Sequence, residues 1–95
     1  MPRPKIPRRL RYNPDVYYFK PRGVPLRFLE EVVLEPDELE ALKLYEVDGL
    51  DQIGSAEKMK ISQPTFARVI GSAHKKIAEA IVLGKAIKIL QNPNV

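Results

Sequence analysis

The sequence contains no cysteine and a single histidine, His74. That excludes disulfides and thiolate metal sites, and one imidazole alone cannot build a usual zinc site. No apolar run approaches the ~20 residues that a membrane-spanning helix needs. The amino terminus is basic but lacks the apolar stretch of a secretory signal peptide. Phosphate-binding loops, dinucleotide fingerprints and nucleophile elbows are also missing. Glu30-Glu31 and Asp37-Glu38 are paired carboxylates, but a solvated face and the start of a helix account for them. These absences point away from an enzyme and imply no metal, no cofactor and no membrane partner. The expected location is the cytoplasm. At 95 residues the chain suits one domain with a modest core.

What is present is charge, and it is unevenly distributed. The net charge of +4 conceals +7 in residues 1–27, −9 in residues 28–57 and +6 in residues 58–95. Two basic blocks flanking an acidic one attract a polyanion if the fold brings them to one side. The alternative is mutual neutralisation across the fold.

Residues 1–27 hold six of the nine prolines, each without an N–H and each biasing its predecessor toward extended backbone. This segment reads as an extended, basic, proline-rich arm. Its first eleven residues carry Arg3, Lys5, Arg8, Arg9 and Arg11 with no acid, and these five are candidate DNA contacts. The rings of Tyr12, Tyr17, Tyr18 and Phe19 suit anchoring of the segment better than base stacking. Residues 24–34 fit either a short strand through Val32-Val33-Leu34 or irregular chain facing a core.

From residue 35 the pattern turns helical, and residues 28–95 read as a mainly α, three-helix domain carrying one or two short strands. Pro36 suits a first turn, and Asp37, Glu38 and Glu40 place negative charge near the positive helix end. Leu39, Leu42 and Tyr45 form an apolar stripe in a helix over about 36–47, ended by Asp48-Gly49. A second helix spans about 51–59, with Ile53, Ala56 and Met59 at every third position. After Lys60-Ile61, Ser62 is an N-cap for a third helix over about 62–83, with Pro64 in its first turn and Gly84 at its end. Residues 85–90 alternate weakly and suit a short strand.

A helix, a short helix, a tight turn and a longer basic helix make the helix-turn-helix order. Ala56 supplies the small residue the crossing requires, and Ile53, Met59, Ile61, Phe66 and Val69 close the wedge. The third helix then presents Ser62, Gln63, Thr65, Ala67, Arg68, Ser72, Lys75 and Lys76 as candidate DNA-binding residues. Gln63 can bond adenine bidentately, and Arg68 can bond guanine or phosphate. Gly71 and Ser72 are small enough to admit the DNA backbone. Such turns usually hold Gly at a positive φ, whereas this chain has Lys60.

These residues also carry a resemblance. MPRPKIPRR at 1–9, FKPRGVP at 19–25, LEEVVL at 29–34, DELEALKL at 37–44, SQPTFARVI at 62–70 and GKAIKI at 84–89 cover almost the whole chain. Together with Gln52 and AEKM at 56–59, they resemble the UPF0251 (DUF134) family of small, predicted DNA-binding proteins. Residues 37–77 are similar to the promoter-reading helix-turn-helix region of sigma factors. The resemblance implies a DNA-binding fold and a role in transcription regulation, without naming a target. Members of the family commonly carry Gly where Lys60 stands.

Three functions follow as expectations. The first is a transcription regulator that binds double-stranded DNA, as a homodimer if selectivity requires two half-sites. The second is a protein–protein module that docks on RNA polymerase or another factor through its acidic face. The third is an RNA-binding protein using its arginine-rich arm.

Overall fold

The structure, a computed structural model, describes residues 16–91. Arg3, Lys5, Arg8, Arg9, Arg11 and Tyr12 lie outside the described residues. Two of the three helices pack on one face of a three-stranded sheet and the remaining one packs on those two, in the mainly helical arrangement expected from the apolar periodicity.

Strand β1 spans Val16–Phe19, β2 spans Glu31–Leu34 and β3 spans Ala86–Leu90. The order is β1-β3-β2, with β1 antiparallel and β2 parallel to β3. Val32 pairs with Ile87 and Leu34 with Ile89, while Tyr17 pairs with Ile89 across the other edge. These side chains share one face because alternate residues point the same way. Residues 16–27, read from the sequence as the end of the arm, instead contribute β1 and a 3-10 turn at Leu26–Phe28, with Pro21 and Gly23 between them. The prolines fall outside the strand, so they frame it without breaking it. The sheet thus has one strand more than the expected maximum of two.

Helix α1 spans Pro36–Leu42 and continues as a π-helical turn over Lys43–Val47. Its first turn is closed by the Glu38 carboxylate, which accepts the Glu35 N–H at 2.9 Å. Helix α2 spans Gln52–Met59, capped by Asp51, whose side chain accepts the Gly54 N–H at 2.7 Å. A Cβ at position 54 would stand 3.0 Å from that carboxylate oxygen, so glycine keeps the cap close. Helix α3 spans Gln63–Leu83, with Ser62 as its N-cap and Gly84 in the left-handed region as its stop.

The core has two parts. Ala41, Ala56, Phe66 and Ile70 join the three helices, with Leu42, Tyr45, Met59, Ile61 and Val69 around them. The Tyr45 and Phe66 rings meet edge to face, with centroids 5.9 Å apart. Leu34, Ala73 and Ile89 join α3 to the sheet, with Tyr17, Leu39 and Ile87 beside them. Tyr17 is thus the anchoring ring, while Phe19 is 61% exposed.

One wedge residue differs from the sequence reading. Ile53 is 62% exposed, and the buried side of α2 is formed by Ser55 and Ala56, with Met59 half-buried behind them. The inner stripe runs through positions 52, 55, 56 and 59, so a third-residue count starting at Ile53 begins one residue off the inner face.

Candidate nucleic-acid interface

The α2–α3 connection places the candidate residues. Lys60 takes φ 61° and ψ 42°, the left-handed conformation expected at this turn. The next N–H, that of Ile61, then reaches back to the Ala56 carbonyl at 3.0 Å, and the chain reverses within three residues. Ala56, only 3% exposed, sits where the helices cross. A larger side chain there would separate them.

On α3 the buried stripe is Phe66, Ile70, Ala73 and Ala80, at helical spacing. On the opposite side, Pro64, Arg68, Gly71 and Lys75 recur at the same spacing and are all exposed. From Ser62 to Lys75 this ridge runs about 20 Å at 1.5 Å per residue. A Cβ at Gly71 would meet nothing within 4 Å, so the ridge is open at its middle. Neither Arg68 nor Lys75 makes an ion pair among the described residues. The ridge therefore carries two cations outside close ion pairs, with Glu79 within electrostatic reach of Lys75.

Its first turn is ordered by polar contacts. The Ser62 hydroxyl donates to Thr65 Oγ1 at 2.9 Å and accepts the Thr65 N–H at 3.2 Å. The Arg68 guanidinium donates to the same Thr65 oxygen at 3.3 Å. Thr65 and Ala67 are half-buried at the margins. Gln63 is exposed, and its amide Nε2 donates to Gln52 Oε1 at 2.5 Å.

Two expected contacts belong elsewhere. Lys76 turns inward, donating to the Val33 carbonyl at 2.6 Å and to Glu38 Oε1 at 2.8 Å. Position 76 falls at the edge of the buried stripe, so its ammonium neutralises a carboxylate rather than facing outward. Ser72 stays exposed as a residue, but its hydroxyl donates to Glu38 Oε2. Glu38 is 5% exposed. Burial opposes its ionisation, yet the Glu35 N–H, Lys76 and Ser72 together hold its carboxyl below the usual glutamate range. His74 pairs with Glu46 at 2.7 Å, so its nearest charge is a carboxylate.

Much of the acidic block is likewise taken up internally. Glu30 pairs with Lys85, Glu38 with Lys76, Glu46 with His74 and Asp48 with Lys43, while Asp51 caps α2. Sequence reasoning missed Gln52 and Glu38 as determinants of the ridge's surroundings. The one signal in the sequence was their position at the first turns of helices that flank α3. No group of three or more metal-ligating side chains occurs among the described residues. No helix there is long and apolar enough to cross a membrane.

A family model described as "Protein of unknown function DUF134" matches residues 1–93. A UPF0251 protein of Moorella thermoacetica is 54% identical over 89 residues, covering 94% of this chain and 60% of the relative. A UPF0251 protein of Caldanaerobacter subterraneus is also 54% identical over 89 residues, covering 75% of the relative. One from Desulfosudis oleivorans is 53% identical, covering 64% of its length. The chain thus spans between about three fifths and three quarters of these relatives. No solved structure matches it. With the match running from residue 1 to residue 93, the chain belongs to the DUF134 family.

Proposed function

We propose that the chain binds duplex DNA as a helix-turn-helix protein and regulates transcription, with α3 as its recognition helix. The observation that carries this reading is the outward ridge of α3. There Arg68 and Lys75, in no ion pair among the described residues, stand on either side of Gly71. A major groove about 12 Å wide admits such a helix. Arg68 suits guanine or phosphate, Gln63 suits adenine, and Lys75 suits phosphate farther along. Ser62, Thr65 and Ala67 border the groove, and the cations of the arm add phosphate contacts.

A lone helix reads few base pairs, so the proposal includes a homodimer on half-sites about 34 Å apart. Phe19 and Ile81, exposed around a shallow apolar depression, supply surface for the second copy. Docking on RNA polymerase through the acidic face would draw on the carboxylates left outside ion pairs among the described residues, such as Glu31, Glu40 and Glu57.

The test is selection of bound sequences from a random duplex pool, followed by binding of Gln63→Ala and Arg68→Ala to the selected site. Each substitution is expected to cost about 1–3 kcal/mol and relax preference at one position. Site preference that survives both substitutions would overturn the recognition-helix assignment. Equal binding to RNA competitor would favour the RNA reading.

A further inference from the structure

Gln63 does not stand alone at the start of α3. Its amide nitrogen is bonded to the side-chain carbonyl of Gln52, the first residue of α2. Each glutamine directly follows a helix cap, Asp51 in one case and Ser62 in the other. The caps and the tight turn between the helices therefore set the separation of the two backbone positions from which the amides extend. Gln63 is exposed, while Gln52 is half-buried behind it.

This bond decides what Gln63 can offer a base. A glutamine amide has two N–H donors and one carbonyl acceptor, and its terminal torsion is otherwise soft. While Nε2 donates to Gln52 Oε1, one N–H is consumed and the Gln63 carbonyl is left for another partner. One donor and one acceptor are left. Adenine presents N7 as an acceptor and N6–H as a donor in the major groove, which matches that remainder. Guanine presents two acceptors, N7 and O6, and needs the donor that Gln52 has taken. A free amide could turn both N–H groups toward guanine.

We infer that Gln52 is a positioning residue that makes Gln63 select adenine over guanine at one position of the site. This rests on the reading of α3 as a recognition helix. Gln52 does not itself touch the base. It acts by holding the amide that does.

The experiment uses the full chain and duplexes selected from a random pool by the wild-type protein. Anisotropy titrations compare the selected duplex with one carrying guanine for adenine at the position that Gln63→Ala relaxes. For Gln52→Ala the ratio of the two affinities is expected to fall about tenfold, the size of one good base contact. Gln52→Glu keeps the acceptor for Gln63 Nε2, so it should weaken binding to both duplexes alike and keep the ratio. Thermal melts verify that both variants fold. An unchanged ratio in Gln52→Ala, with Gln63→Ala relaxing the position, overturns the role of Gln52 and leaves the DNA reading standing. If Gln63→Ala relaxes no adenine position, the inference also falls. A wild-type protein that enriches no duplex sequence overturns the DNA reading and the inference together.

Discussion

Lys60 carries a conformation in which its Cβ crowds the following carbonyl, at φ 61°. It is the only non-glycine residue with positive φ among the described residues. Glycine at this position relieves that crowding, although the unfolded chain gains freedom in return. Lys60→Gly is expected to stabilise the protein by about 1 kcal/mol, roughly 4–8 °C in melting temperature for a domain of this size. Thermal unfolding checks it, and a melting temperature at or below wild type would show that the turn holds lysine without strain. The turn itself was legible in the sequence, since Ser62 and Pro64 mark a helix start and only a tight reversal fits between Met59 and Ser62. Single side-chain directions were less so. Lys75 and Lys76 are neighbours of identical type, but about 100° of helical rotation sends one outward and the other to Glu38. Composition does not carry that rotation. It follows from which side of α3 is buried, and hence from α1 and β2.

At the scale of elements, that buried carboxylate links three of them. Glu38 of α1 accepts from Ser72 and Lys76 of α3, and Lys76 also donates to the Val33 carbonyl in β2. Its carboxyl is held below the usual glutamate range in the folded protein, against the opposing effect of burial. A depressed folded value stabilises the protein above the unfolded pKa of about 4.3. That contribution disappears as pH falls through the folded value. Glu38→Gln should therefore cost about 2 kcal/mol at neutral pH, the worth of hydrogen bonds to a charged group. The gap between the variant and wild type should narrow as the medium becomes acid. Urea unfolding at pH 7 and near pH 3.5 measures both, and a gap of constant size would show that the Glu38 charge contributes nothing. The helices themselves were readable because their apolar stripes and caps agree with one another. Strand β1 was not, because a four-residue strand between Pro14 and Pro21 leaves too few alternating positions to stand out from its surroundings.

The whole molecule divides its charge in a way that the described residues make plain. Between positions 16 and 91 the sequence has eleven Lys and Arg and eleven Asp and Glu, so this part is neutral with His74 uncharged. The entire excess of +4 comes from the first fifteen residues, where five cations meet one acid. Under the proposed DNA-binding reading, long-range attraction to a polyanion would depend on the arm, and the α3 ridge would act only at short range. Replacing Arg3, Lys5, Arg8, Arg9 and Arg11 by Gln tests that division in the full chain. Removing one cation from a phosphate flattens the slope of log affinity against log salt by about 0.9. The fivefold variant is expected to bind the selected duplex more weakly at low salt, with a slope flatter by up to about 4.5. Its base preference should persist, because Gln63 and Arg68 are untouched. Association should slow as well, since steering falls with net charge. Titrations at several salt concentrations, with stopped-flow association at the lowest, separate the two contributions. A slope and an association rate equal to wild type would show that the arm makes no phosphate contacts. The neutral body would then bind through the α3 ridge alone.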